Sequence, residues 1–463
     1  MLQVGWRNQI KSWDVFDTLI ARRYVRSDTI WKKMGEEIDI PNFEFHRKQC
    51  NYGPLRNIYT QLANRGVIPH HLIDQMMEYE VQYEEDVCFP IKETMEQVSH
   101  GDLLVSDMYL PPADILRLVR SCGLDKQVTI HASLADKQHG VFWKAMRGHL
   151  SLESHTGDNG HADIKLAAQE GFKVVHYVKS EQTKMEKELE AKGLRELSML
   201  VRETRLRNHE HFAEIFTVSN QLNLPWIFVC CELLRRKHPN RKPVFLGRDC
   251  QLFYKIFNTY FSEASYYLPF SRRAAYKDPK AAVQYIKSHV PENYILVDIS
   301  STGRTWNMIG QHHVFDIEIL HFDHRNDIPI PKNFTWFNKD YSGNARGTNL
   351  LLEIFNCADH GMMDEIRLVN GLPIAKFDSS YEIDPEHIKA IHQPFKTALE
   401  LKKHYHMLKS EMAQIDEKTL WYFFDVLPRS ICVFQDSLRD TTFKVFYEKH
   451  KEYLTELMTQ LRY

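Results

Sequence analysis

The chain has 463 residues, long enough for two to four domains of ordinary size. Hydrophobic residues make up 43% and charged residues 26%, the balance of a folded globular protein rather than a disordered or fibrous one. Lysine plus arginine (59) nearly matches aspartate plus glutamate (61), which argues against nucleic acid as a bulk partner.

The first residues, MLQVGWRNQIKSW, lack the apolar core and small-residue cleavage site of a signal peptide. A strand-like segment over 8–20 closes in DVFDTLI, and 25–98 reads as helices. Strand signals return at DLLVSDMYL (102–110), QVTIHASL (127–134) and FKVVHYV (172–178), with helical stretches such as PADILRLVRSCG between them. Strands alternating with helices predict a parallel sheet. Residues 179–209 are dense in charge at a helical period, and a charged helical linker is expected over 181–225. The longest apolar stretch, LPWIFVCCELL (224–234), is shorter than the roughly 20 residues a bilayer needs and reads as a buried helix. The 8 cysteines show no CxxC spacing, so they are expected as reduced core thiols in a cytoplasmic protein.

A second alternating series starts at PVFLGRD (243–249) and continues through SYYLPFSRR (265–273), YILVDISSTGRT (294–305) and FDIEILHFD (315–323). After residue 384 the pattern is helical to the end, rich in aromatics. The expected class is therefore α/β. It comprises an α/β domain over 1–180 with a helical insert at about 25–98, a second α/β domain over 226–380, and a helical region over 381–463.

Chemistry-bearing residues fall at strand ends, and the carboxyl edge of a parallel sheet is where ligands bind. In the first series these are Asp14, Ser106, Asp158 and Asp163, with Lys137 between. A carboxylate can attack phosphorus. Mg²⁺ prefers a few carboxylates, carbonyls and waters. A hydroxyl and an ammonium can hold phosphoryl oxygens.

In the second series Asp298 is followed by Ser300, Ser301, Thr302, Gly303 and Thr305. Gly303 permits close backbone approach to a phosphate, and the hydroxyls and N–H groups can nest an anion at a helix start. Gly247, Arg248 and Asp249 close an earlier strand, and Arg272 and Arg273 follow another. Arginine suits a bidentate grip on diphosphate oxygens.

The motifs DVFDTL, LLVSD, LADKQHG and TGDNGHAD resemble those of the haloacid dehalogenase superfamily, whose members are mostly Mg²⁺-dependent phosphatases. The resemblance implies Asp14 as nucleophile, Ser106 on the phosphoryl group, and Lys137, with Lys144 as fallback, neutralising charge. It implies Mg²⁺ on Asp14, the Phe16 backbone carbonyl and Asp158, supported by Asp163, and it makes the helical insert a cap. Phosphatases of the family carry a general acid–base Asp two residues after the nucleophile, where this chain has Phe16. Asp17 or a group elsewhere takes that role, or the domain is slow or inactive. An aromatic there also occurs in the dehalogenase branch, but the GDN acidic pair, suited to Mg²⁺, counts against dehalogenation.

VDISSTGRT resembles the phosphoribosyl-diphosphate (PRPP) loop of type I phosphoribosyltransferases, with Val297 where a first acidic residue is usual. That resemblance implies ribose hydroxyls on Asp298, pyrophosphate on Gly247, Arg248 and one of Arg272 or Arg273, and Asp249 as a base or acceptor-orienting group. Together the halves resemble bacterial glycan phosphoribosyltransferase and phosphoribosyl-phosphatase systems that put ribofuranose into capsules and O-antigens. The implied partners are PRPP, a glycan acceptor that is lipid-linked or free, and other polysaccharide-assembly enzymes. A location in the cytoplasm follows, with peripheral contact at the inner membrane left open. Two other readings stay in view: a phosphatase with a non-catalytic second domain, and a non-catalytic scaffold. Trp421, Tyr422 and Phe423 read mainly as core at helical spacing and secondarily as an acceptor surface.

Overall fold

The computed structural model describes residues 10–24, 28–50, 53–148, 152–209, 212–324, 327–337, 351–378 and 385–437, together with 448 and 452. It is a mixed α/β protein with two parallel sheets, divided into one compact unit over 1–183 plus 206–209 and another over 184–205 plus 210–463.

In the first unit β1 (Ile10–Asp14), β4 (Leu103–Ser106), β5 (Thr129–Ala132), β6 (Leu152–Gly157) and β7 (Val174–His176) form a five-stranded sheet in the order β5-β4-β1-β6-β7. All its pairings are parallel. By chain position this is 3-2-1-4-5, so the winding reverses between β1 and β6, and the carboxyl edge at such a reversal is where parallel sheets bind ligands. Trp13, Val15, Leu104, Ile115 and Leu118 are buried in one core cluster. β6, LESHTG, is the strand that the sequence placed ahead of Asp158 and Asp163. It carries almost no apolar residue, and it is held in the interior by polar pairing, with Ser12 Oγ 2.9 Å from His155 Nδ1.

Two short antiparallel strands, β2 (Ile20–Arg22) and β3 (Cys88–Pro90), form the neck of the helical insert. Between them run the helices Asp28–Glu37, Phe43–Gln49, Leu55–Asn64 and Ile73–Val87. Buried Glu80 is the polar centre of this insert. It accepts from Arg47 (2.8 Å), Tyr59 (2.5 Å), Tyr109 (2.6 Å) and Trp31 (3.3 Å), so the buried charge is paired and its oxygens are satisfied. Tyr109 lies in the loop after β4, and its carbonyl accepts from Leu55 N–H at 3.1 Å, which ties insert to sheet.

In the second unit β8 (Lys242–Leu246), β9 (Tyr266–Leu268), β10 (Tyr294–Ser301), β11 (Ile317–Phe322) and β12 (Phe334–Trp336) are parallel in the order β12-β11-β10-β8-β9. By chain position this is 5-4-3-1-2, and the reversal lies between β8 and β10. An antiparallel hairpin, β13 (Met362–Val369) with β14 (Leu372–Asp378), turns at Asn370-Gly371. Both turn residues have positive φ (53° and 80°), as a two-residue hairpin of right-handed twist requires.

The segment expected as a linker is instead packed into this unit. Helices Lys184–Ala191 and Arg195–Leu206 bury Leu189, Leu197, Leu200 and Val201, and inward charges are paired, as in Glu186 with Arg205 at 2.8 Å. The charge density seen in the sequence is shared between the outer face and a few buried residues, Glu186, Arg202 and Glu203. Leu224–Leu234 is wholly buried in the helix Leu224–Lys237. Helices Pro385–Glu400, Leu408–Gln414 and Glu417–Ser437 follow; the helical expectation for 438–463 lies, apart from 448 and 452, outside the described residues. Among the described residues no helix is long and apolar enough to cross a membrane, and the seven described cysteines are free.

Candidate functional site

β1 delivers Asp14 at its last residue, in register with Val105, so Ser106 stands one residue further along on the neighbouring strand. On the other side β6 ends at Gly157, and Asp158 and Asp163 follow. The close return of the chain depends on Gly157: a Cβ there would lie 2.4 Å from Asp163 Cγ. Asn159 caps the following turn, accepting from His161 N–H and Ala162 N–H at 3.0 Å each.

Asp14, Asp158 and Asp163 present carboxylate oxygens within 4.8 Å of one another. Lys137 Nζ is 2.6 Å from Asp163 and also contacts Asp14. Asp107 fixes the Lys137 loop by accepting its backbone N–H at 3.0 Å and that of Gln138 at 2.7 Å. Lys144, the alternative cation, is exposed on the helix Val141–Met146. Thr18 donates to Asp14 at 3.2 Å. Fully buried His155 links Ser12 on one ring nitrogen to Asp163 on the other, at 3.1 Å.

The charges are unbalanced, three carboxylates against one ammonium. Burial, opposed by Lys137 and reinforced by Asp163 and Asp158, pushes Asp14 up to about 8. Burial and then the charge of Asp17 push Asp158 up to about 6. Asp163 is held below its ordinary value: burial opposes this, but the His155 hydrogen bond and the Lys137 charge outweigh it. A hard divalent cation fits this all-oxygen donor set, because it would relieve the crowding that now favours protons.

Phe16 and Asp17 part company after the strand. Arg22 lies 4.1 Å over the Phe16 ring and is paired with Glu84 at 2.7 Å. Asp17 takes a left-handed backbone (φ 56°), a conformation that favours glycine, and its charge acts on Asp158.

In the second unit a cavity of about 150 Å³ opens at the reversal between β8 and β10. Its walls include Gly247, Arg248 and Asp249 after β8, Arg272 after β9, and Asp298, Ser300 and Ser301 on β10 with Thr305 beyond. The structure separates the two arginines. Arg272 lines the cavity, whereas Arg273 pairs with Asp364 (2.9 Å) and Asp378 (3.5 Å) of the hairpin, which removes it from the expected pyrophosphate set. Gly303 (φ 82°) starts the helix Arg304–Gly310, and its N–H donates to Ser301 Oγ at 3.1 Å. Thr302 precedes it in the same turn. Val297, where an acidic residue is usual, is buried in the sheet.

Glu353 and Cys357 also line this cavity, and sequence reading missed both. Glu353 lies in a helical stretch of which 351–355 are described, and it lines the cavity together with Ser300. Enclosure, then the nearby Asp249, pushes it up to about 7, against Arg272 and Arg248. Asp298 is raised by enclosure, Asp249 and Glu353, and Asp249 chiefly by enclosure.

The aromatic segment gives no broad platform: Phe423 is buried, Trp421 packs on Phe337 and Phe424, and Tyr422 bonds Glu188. No family model matches the chain, and no curated protein matches it.

Proposed function

We propose that the chain is a bifunctional enzyme of surface-polysaccharide biosynthesis. Its second unit transfers 5-phosphoribosyl from PRPP to a glycan hydroxyl, and its first unit removes the 5-phosphate to leave ribofuranose. The observation that carries the reading is the second cavity. It gathers a glycine-arginine-aspartate strand end, an arginine from the next strand, and an aspartate with serine and threonine hydroxyls, all at one switch point. Such a set offers cations for a diphosphate, a nest for a phosphate and a carboxylate for ribose hydroxyls.

In the first unit Asp14 attacks phosphorus, and the bond from phosphorus to the ribosyl 5-oxygen breaks, that oxygen leaving as the hydroxyl. Lys137 neutralises the incoming anion, Ser106 orients it, and Asp17 takes the proton role that Phe16 cannot. Asp14, Asp158 and the Phe16 carbonyl would hold Mg²⁺, with Asp163 behind them. When bound, the ion supplies charge neutralisation of the phosphoryl oxygens. Water then cleaves the aspartyl-phosphate, which regenerates Asp14.

The test is calorimetric titration of the intact protein with PRPP and Mg²⁺, beside Asp298→Ala and Asp14→Asn. Binding should survive Asp14→Asn and vanish with Asp298→Ala. A folded wild-type protein that binds no PRPP leaves a phosphatase or a scaffold and ends the transferase reading.

A further inference from the structure

We propose that Glu353 is the catalytic base of the second unit, taking the proton from the acceptor hydroxyl as that oxygen attacks the ribosyl carbon; the inference rests on the transferase reading above. Three carboxylates reach the cavity, and their surroundings divide the work. Asp249 is flanked by Arg248 and influenced by Arg272, the cations suited to a departing diphosphate. Asp298 lies on β10 two residues before Ser300, on the side of Ser301 and Thr305, where it suits ribose hydroxyls. Glu353 comes from neither strand end. It enters from the helical residues 351–355 and lines the same cavity as Ser300 and Asp298. A carboxylate there meets a nucleophile approaching the sugar carbon rather than the leaving group.

The support behind Glu353 is unusually well fixed. Asn223 and Asn356 are both fully buried and pair with each other at 3.2 Å. Asn223 donates to the Phe355 carbonyl and Asn356 to the Leu352 carbonyl, each at 2.9 Å. Cys357 Sγ donates to the Glu353 carbonyl at 3.1 Å and accepts from Arg248 at 3.6 Å. Three buried side chains thus bond the carbonyls of Leu352, Glu353 and Phe355 and fix the helical residues that carry Glu353. A carboxyl that titrates near neutrality is also matched to a proton transfer at cellular pH.

The step balances. The acceptor oxygen forms a bond to C1 of the ribosyl group, the C1–O bond to pyrophosphate breaks with its electron pair leaving on pyrophosphate, and the hydroxyl proton passes to Glu353. With water in place of the glycan the same step gives ribose 5-phosphate.

The experiment follows pyrophosphate release from PRPP and Mg²⁺ by the full chain, with methyl hexosides or water alone as acceptor, alongside PRPP binding. Glu353→Gln should bind PRPP as the wild type does, lose roughly 10²–10⁴-fold in turnover, and lose the rise in rate through about pH 7. Glu353→Ala should regain turnover with added formate, which a merely structural role would not allow. Equal turnover and an unchanged pH profile in Glu353→Gln overturn the proposal alone. So does a wild type that binds PRPP yet passes its ribosyl group to neither glycoside nor water. A wild type that does not bind PRPP overturns the transferase reading and this proposal together.

Discussion

The two sites solve one architectural problem with different charge balances. Each lies at the carboxyl edge of a parallel sheet, where the strand order reverses. The first sets three carboxylates against one lysine in a largely buried cluster. The second sets three half-buried carboxylates against two arginines around an open cavity. Excess negative charge in a tight space asks for a cation and can then accept a small phosphoryl group. A smaller excess of one carboxylate around an open cavity suits an extended ligand with phosphates at one end and hydroxyls at the other. The position in the fold is shared; the net charge and the room around it set the ligand.

Mg²⁺ should sharpen that contrast most. In the metal-free first site, Asp14 ionises at about 8 when folded against an ordinary value of 3.8, and Asp158 at about 6. Between those values the unfolded chain has released protons that the folded site keeps, so metal-free stability should fall as pH rises through this window. Mg²⁺ at a hundredfold excess over its dissociation constant should add about 2.7 kcal/mol. The gain should shrink as pH drops below about 8, where protons compete first at Asp14 and then, near 6, at Asp158, and should be lost in Asp158→Asn. Thermal unfolding against pH, with and without Mg²⁺, reads all three effects.

The arginines of the second site provide the next test. Arg272 lines the cavity, and Arg273 is committed to Asp364 and Asp378. Arg272→Ala should cost about 1.5–3 kcal/mol of PRPP binding, the worth of a hydrogen bond to a charged group. Arg273→Ala should leave affinity unchanged and slightly lower the melting temperature. Equal losses of affinity in both variants would mean that the separation of these neighbours has no bearing on the ligand.

That pair also marks how far sequence reaches. Apolar runs ending in a carboxylate or a small polar loop were legible at DVFDTL, LLVSD and YILVDISSTGRT, because such strands are buried on both faces and their ends are polar. The adjacent arginines could not be told apart, since side chains one residue apart project differently and the partners of Arg273 lie about a hundred residues on. β6 was legible only by its place ahead of Asp158 and not by an apolar run, because its interior contacts are a serine, a histidine and an aspartate rather than aliphatic side chains. Glu353 had no local signal at all: its role depends on where its helix packs, which Asn223 settles from 130 residues away. The hairpin β13–β14 was missed although Asn370-Gly371 between alternating residues is a strong turn signal. Its strands fell in a stretch that the α/β pattern did not require.

The smallest expected effect asks most of the first site. Asp17 holds a left-handed backbone at φ 56°, where a side chain costs about 1 kcal/mol and glycine costs almost nothing. A residue kept there against that cost should contribute something else, and the charge of Asp17 reaches Asp158 while Phe16 is covered by Arg22. Asp17→Gly should therefore gain about 1 kcal/mol in denaturant unfolding and lose turnover of sugar 5-phosphates. Gain of stability with turnover intact would move the proton role elsewhere. No gain would mean that the turn, held by Asp17 N–H to the Ile20 carbonyl at 2.7 Å, already offsets the strain. In either case the exchange separates what Asp17 does for the fold from what it does for the carboxylates beside it.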